Sequence, residues 1–159
     1  MPFSFSMTKH HWLYLGLGSN LGDRSSLLKQ AIRLVGEQIG EVVCQSSFME
    51  TEPWGFETEN CFLNGVILCK TRLTPREVLE ATQQIEHELG KGQEHATRRT
   101  QNQSPTYKDR PIDIDILLYD DLTTDEPDLK IPHPLMRERD FVMKPLREIE
   151  ARLNIKLKF

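Results

Sequence analysis

Two aspartates share one short apolar segment in the second half of the chain, Ile112-Asp113-Ile114-Asp115-Ile116-Leu117-Leu118. Because side chains on a β-strand alternate between its faces, the isoleucines are expected to enter the core while Asp113 and Asp115 project together on the other face. Two like charges at close range repel, so a bound cation would stabilise the pair. Carboxylate oxygens suit Mg²⁺, which completes its shell with water and substrate phosphate. The spacing therefore predicts a metal site suited to phosphate chemistry.

A cationic segment precedes this strand, and it contains Lys91, Arg98, Arg99, Lys108 and Arg110. Long loops without regular structure are either functional lids or disordered, and a metal beside Lys and Arg is the usual apparatus for binding polyphosphate. Taken separately, the acidic strand could be a solvated edge strand and the segment a solvated run of charge. Together they favour a polyphosphate site, over which we expect the loop to close.

Two further motifs are less specific. The run from Gly16 to Gly22 lacks the dinucleotide fingerprint, since Leu21 stands where the third glycine belongs, and a tight strand-to-helix turn explains these glycines equally well. Ile131-Pro132-His133-Pro134 holds an imidazole between two prolines, which restricts its position. No motif supports covalent catalysis.

The order of elements predicts how these residues are positioned. Strands are expected over residues 12–18, 42–49, 61–70 and 111–119, and helices from Asp23 or Ser25 to Gly40 and from the capping box Thr74-Pro75-Arg76-Glu77 to Gly90. Short extended and partly helical pieces follow at 129–131 and 141–149. This is the ferredoxin-like β-α-β-β-α-β order of the α+β class, with an antiparallel four-stranded sheet, helices on one face, and C-terminal additions. The other face is left for loops, the C-terminal segment or a ligand.

Length and composition fit one domain over residues 1–159, of which 1–11 are expected to be a flexible extension. The net charge of −4 disfavours general binding to nucleic acid or anionic membrane. Cys44, Cys61 and Cys69 lie in apolar runs without metal-site spacing, so we expect buried, reduced thiols. With no signal peptide and no apolar run of about eighteen residues, the sequence predicts a cytoplasmic protein.

Over residues 14–149 these segments together resemble the 6-hydroxymethyl-7,8-dihydropterin pyrophosphokinase family of folate biosynthesis. The marks are Leu17-Gly18-Ser19-Asn20-Leu21-Gly22-Asp23-Arg24, Ser47-Phe48-Met49-Glu50-Thr51, Phe62-Leu63-Asn64, Arg110-Pro111-Ile112-Asp113-Ile114-Asp115-Ile116-Leu117, Ile131-Pro132-His133-Pro134 and Arg139-Asp140-Phe141. The family transfers pyrophosphate from ATP to the hydroxymethyl group of a reduced pterin and releases AMP. The resemblance implies these two small-molecule substrates and no obligatory protein partner.

For ATP and metal, the resemblance implies that Asp113 and Asp115 hold two Mg²⁺ ions bridging the triphosphate. It implies that Arg98, Arg99 and Arg110 join the two aspartates in catalysis. The ATP site would comprise Gln83, Glu86, Lys91, Arg110, His133 and Arg139. Gln83 and Glu86 are three residues apart on the second helix and therefore share a face.

For the pterin, the resemblance implies that Phe62 and Phe141 sandwich the ring. Its hydrogen-bonding edge would be bound by Asn64 and by backbone groups of the segment Thr51, Glu52, Pro53 and Trp54. Phe62 and Asn64 are two residues apart on a strand and so face the same side. Ordinary core packing is the alternative explanation for both phenylalanines.

The departures from the family pattern concentrate in the long loop. Lys91 stands where the family commonly has arginine, Tyr107 replaces a tryptophan, and Lys108-Asp109-Arg110 replaces Gly-Pro-Arg. The loop is also longer than in the best-known members of the family. Arg98 and Arg99 therefore do not align with particular arginines of the family pattern. A ferredoxin-like RNA-binding module and an inactive ligand sensor are the alternatives. The sequence lacks the aromatic-rich strand typical of an RNA-binding module. An inactive sensor is disfavoured because the acidic pair, Arg110, His133 and Arg139 are all retained.

Overall fold

The computed structural model describes residues 9–51, 61–90 and 111–159. In this part of the chain the elements are β1 (His11–Ser19), α1 (Arg24–Gln38), β2 (Gly40–Gln45), β3 (Met49–Thr51), β4 (Phe62–Thr71), α2 (Pro75–Gly90), β5 (Asp113–Tyr119), β6 (Thr124–Glu126), β7 (Leu129–Ile131) and α3 (Asp140–Leu153). A 3-10 turn, Met136–Glu138, precedes α3. None of the helices in the described ranges is long and apolar enough to cross a membrane.

The main sheet is antiparallel, with strand order β2-β4-β1-β5 and β3 paired to β4. Helices α1 and α2 pack against each other and against this sheet. This arrangement confirms the predicted α+β class and the ferredoxin-like order. Strands β6 and β7 form a separate two-stranded sheet within the C-terminal additions.

The prediction of one strand over 42–49 is wrong, and the sheet has five strands rather than four. The ladder breaks at Ser46, whose N–H donates to the Val66 carbonyl at 2.9 Å while its Oγ accepts from the Val66 N–H at 2.9 Å. Phe48 then packs over Gly65, where an added Cβ would lie 2.9 Å from the Phe48 ring. The side chain of Ser46 thus takes over part of the ladder before β3 resumes pairing.

Local sequence signals determine where the helices begin. The Asp23 carboxylate accepts the Ser26 N–H at 3.2 Å and caps α1. Thr74 and Glu77 form the predicted capping box of α2, with reciprocal backbone-to-side-chain bonds of 2.9 and 3.2 Å. Helix α1 ends at Gln38 with Ile39 as its C-cap, directly before Gly40, close to the predicted end. Gly40 begins β2, where a side chain would collide with the Lys70 carbonyl oxygen, so glycine is required by close strand approach.

Two hydrophobic cores lie on opposite faces of the sheet. The larger core lies under α1 and α2 and includes Leu13, Leu15, Leu28, Val35, Ile67 and Ile85. The smaller core lies under α3 and includes Tyr14, Val66, Leu68, Leu118, Leu146 and Ile149. Each fully buried side chain of this kind contributes about 1.5–3 kcal/mol to folding. The C-terminal segment therefore covers part of the second face, as expected.

The structure corrects two smaller expectations. His11, predicted to lie in the flexible extension, belongs to β1, and its Nδ1 lies 2.7 Å from Asp120 Oδ2. Residues 1–8 lie outside the described part. All three cysteines are free, but only Cys69 is buried, since Cys44 and Cys61 are partly exposed.

Candidate active site

The acidic pair lies on the edge strand β5. Ile114 and Ile116 are only 5% and 7% exposed and belong to the core under α1 and α2. Asp113 and Asp115 alternate with them and are partly exposed on the opposite face. The predicted alternation along this strand is therefore confirmed.

Glycines face both aspartates on the neighbouring strand. In the β1–β5 register Gly18 pairs with Asp113 and Gly16 pairs with Asp115. Residues directly opposite in an antiparallel pair project to the same face, so the surface beside both carboxylates has no side chain from β1. Gly16 and Gly18 are thus strand residues, and only Gly22, with a φ of 76°, serves the strand-to-helix turn.

The surroundings and the oxygen donors of Asp113 and Asp115 fit Mg²⁺. Two carboxylates two residues apart supply hard oxygen ligands on an open face, and Mg²⁺ keeps several waters and takes substrate phosphates in its remaining positions. Within the described ranges there is no group of three or more His, Cys, Asp or Glu side chains that could hold a metal. Two carboxylates alone do not fill the coordination shell of Mg²⁺, so such a site would need water and substrate phosphate as its other ligands.

The same row across the sheet reaches the predicted pterin residues. Gly18 pairs with Asn64 on β4, and Asn64 pairs with Met49 on β3. Asn64 is 6% exposed, and its Nδ2 donates to Thr51 Oγ1 at 2.9 Å. A Cβ at Gly18 would lie 2.8 Å from Asn64 Oδ1 and 3.6 Å from the Phe62 ring. The predicted metal residues and the predicted pterin residues therefore share one face and one end of the sheet.

Glu86 on α2 connects this helix to the acidic strand. Its carboxylate accepts the Ile114 N–H at 2.7 Å, between the two aspartates. Because β5 is an edge strand among the described residues, that N–H has no described strand to bond on its outer side. Gln83 is exposed on the same helix, one turn earlier.

His133 follows β7 and a cis Ile131–Pro132 peptide bond. The His133 backbone N–H donates to the Leu117 carbonyl at 3.0 Å. The ring Nδ1 accepts the Leu135 backbone N–H at 3.2 Å. Burial and the Arg139 charge lower the pKa of His133, while the nearby Asp113 carboxylate partly opposes the shift. The imidazole is thus neutral near neutral pH, with its proton on Nε2.

Arg139 and Phe141 stand at the beginning of α3. The Arg139 guanidinium carbon lies 5.5 Å from the centroid of the Phe141 ring. Phe141 is partly buried and packs against the core under α3. The beginning of α3 therefore holds a cation beside a partly exposed aromatic ring.

The remaining predicted residues lie outside the described ranges; they are Glu52, Pro53, Trp54, Lys91, Arg98, Arg99 and Arg110. Sequence reasoning missed the two glycines opposite the aspartates and the bond from Ile114 to Glu86. A signal for the glycines was available, because Gly16 and Gly18 have the same two-residue spacing as Asp113 and Asp115. Glycine inside a strand often marks close approach of a ligand or another chain.

The family model described as 7,8-dihydro-6-hydroxymethylpterin-pyrophosphokinase matches residues 14–151. The chain therefore belongs to this family. It is 46% identical over 143 residues, 89% of this chain and 92% of the other, to the 2-amino-4-hydroxy-6-hydroxymethyldihydropteridine pyrophosphokinase of Porphyromonas gingivalis. It is 43% identical over 137 residues, 86% of this chain and 76% of the other, to the protein of the same name from Bacillus subtilis.

Solved structures share the fold. A crystal structure of Plasmodium falciparum HPPK-DHPS superimposes with a TM-score of 0.64 at 16% identity. The match covers 89% of this chain and 41% of that one, so the chain spans about two fifths of that longer protein.

Proposed function

We propose that this protein transfers the pyrophosphoryl group of ATP to 6-hydroxymethyl-7,8-dihydropterin, producing the pterin diphosphate and AMP for folate biosynthesis. The observation that carries the proposal is the row in which Asp113 and Asn64 flank Gly18 on one face. An acidic pair suited to a metal ion and a buried amide suited to a heterocycle are adjacent there. Family membership supports the same reaction and does not favour an RNA-binding module or an inactive sensor.

In the pterin half, Phe62 and Phe141 bind the two faces of the ring, and Asn64 binds its edge together with Thr51 and residues 52–54. The Asn64 Nδ2 donates a hydrogen bond to Thr51 Oγ1, and the Asn64 Oδ1 lies on the side of Gly18. That oxygen is suited to accept an N–H of the heterocycle. Aromatic contact with a few fixed polar groups is the usual design of a small-molecule site.

In the nucleotide half, Asp113 and Asp115 would hold two Mg²⁺ ions, which when bound neutralise triphosphate charge and align the nucleophile. Glu86 holds the strand that carries both carboxylates. His133, neutral with a proton on Nε2, is suited to donate to an ATP oxygen, and Arg139 adds a fixed positive charge beside it. Gln83, Glu86, Lys91 and Arg110 complete the ATP site, and Arg98 and Arg99 act on the phosphates.

The reaction is an in-line displacement at the β-phosphorus. The hydroxymethyl oxygen forms a bond to that phosphorus and loses its proton, and the bond from the β-phosphorus to the oxygen bridging the α-phosphate breaks. AMP leaves with the bridging oxygen. Positioning and charge stabilisation are most of what such a transfer requires, which fits a site of carboxylates, cations and aromatic rings.

The test is release of AMP from ATP by the purified full chain, with the pterin and Mg²⁺ present together and each omitted in turn. We expect AMP only when all components are present. Formation of ADP, or of no nucleotide product by folded protein, would contradict the proposal.

A further inference from the structure

Arg24, the first residue of α1, contacts strand β3 and the residue that precedes strand β4 through one guanidinium. Its Nη1 donates to the Cys61 carbonyl at 2.8 Å. Its Nη2 forms an ion pair with Glu50 Oε2 at 2.7 Å. The planar fork of arginine suits two acceptors at fixed positions, whereas lysine supplies only a point charge on a flexible stem.

These two partners lie next to the residues assigned to the pterin. Glu50 is the middle residue of β3 and precedes Thr51, while Cys61 precedes Phe62, the first residue of β4. Thr51 pairs with Phe62, and Met49 pairs with Asn64. Strand β3 has only three residues and joins the sheet through β4, so its own ladder supplies few bonds to fix it.

We propose that Arg24 is a positioning residue for the pterin site and does not itself contact the pterin. It holds Glu50, and hence Thr51, in register with Phe62. Thr51 Oγ1 in turn accepts the Asn64 amide and orients its Oδ1. This inference rests on the proposed function, and it gives a role to Arg24 and Glu50, which have none in the catalytic account.

The exposure of the pair separates a positioning role from a stabilising one. The side chains of Arg24 and Glu50 are 30% and 56% exposed. Ion pairs exposed to this degree add little to the free energy of unfolding. Loss of Arg24 should therefore affect the pterin far more than it affects the fold.

The experiment compares Arg24→Gln, Arg24→Lys and Glu50→Gln with a matched control, Arg33→Gln. Arg33 lies on the same helix and pairs with Glu37 at 2.8 Å, with side chains 62% and 55% exposed. Each full-length protein is assayed for KM of pterin and of ATP, for Kd of pterin without ATP, and for Tm. We expect Arg24→Gln to raise the KM and Kd for pterin roughly threefold to tenfold, the scale of one misplaced hydrogen bond between Asn64 and the pterin, with KM for ATP and Tm unchanged. Arg33→Gln should match wild type.

Glu50→Gln keeps an acceptor but removes the charge, and Arg24→Lys keeps the charge but removes the fork, so both should fall between wild type and Arg24→Gln. These two variants also carry the test if Arg24→Gln does not fold. Wild-type pterin affinity in all three variants, or a fall in Tm with no change for pterin, would refute the inference and leave the proposed function intact. Failure of the wild type itself to bind pterin and release AMP would overturn the proposed function and this inference with it.

Discussion

Gly18→Ala is the change that the site geometry predicts most sharply. An added Cβ would lie 2.8 Å from Asn64 Oδ1, closer than two such atoms approach in folded proteins. Asn64 is 6% exposed and donates to Thr51, so its amide cannot move without disturbing that bond. The substitution therefore acts directly on the amide that we assign to the edge of the pterin.

The expected size follows from the contacts. Overpacking a well-packed site costs about 1–3 kcal/mol. Loss of alternative backbone conformations in the unfolded chain returns about 0.4–1 kcal/mol for Gly to Ala. We therefore expect Gly18→Ala to lower the free energy of unfolding by about 1–2 kcal/mol. A displaced Asn64 Oδ1 would also forfeit one hydrogen bond to the pterin, about 0.5–1.5 kcal/mol, which is a rise of roughly threefold to tenfold in Kd.

Urea unfolding and pterin titration without ATP or Mg²⁺ measure these two effects. Gly16→Ala is the matched control on the same strand, because its Cβ would meet the Leu117 side chain at an ordinary 3.4 Å. The control should retain wild-type pterin affinity. If Gly18→Ala binds pterin as tightly as Gly16→Ala, the assignment of Asn64 to the pterin is wrong.

Three further outcomes are expected. Asp115→Asn should reduce AMP release at least about a hundredfold with an unchanged urea midpoint. Asp121→Asn, a change at an exposed turn residue, should keep activity. Comparable activity in the two variants would remove Asp115 from the metal site. Burial raises the pKa of Cys69 to about 12, so alkylation of the native protein followed by mass mapping should modify Cys69 last, and early labelling would contradict its burial. The pKa of His133 is lowered in the folded protein, so the unfolded chain binds more protons, and stability present above about pH 6.5 should be lost as pH falls. His133→Asn should flatten that loss in pH-dependent urea unfolding, and an unchanged slope would refute the assignment.

Elements set by local interactions could be predicted from the sequence. The capping box at Thr74 depends on residues three apart, and the alternation around Asp113 and Asp115 depends on the period of a strand. Both signals lie within a few residues and do not need knowledge of the partner strands. The ferredoxin-like order follows from the sequence of such elements.

The remaining features depend on contacts between distant residues. The break between β2 and β3 requires Ser46 to bond Val66 and Phe48 to pack over Gly65. The alignment of Gly18 with Asp113 and Asn64 depends on strand register, which no local pattern specifies. The roles of residues 52–54 and 91–110 stay predictions, since those residues lie outside the described part of the chain.

The most direct test of pyrophosphoryl transfer follows ATP radiolabelled at the β-phosphate in the presence of the pterin and Mg²⁺. We predict that the label appears in the pterin product at the rate at which AMP is released. Label retained in ADP, with only the γ-phosphate transferred, would contradict the account.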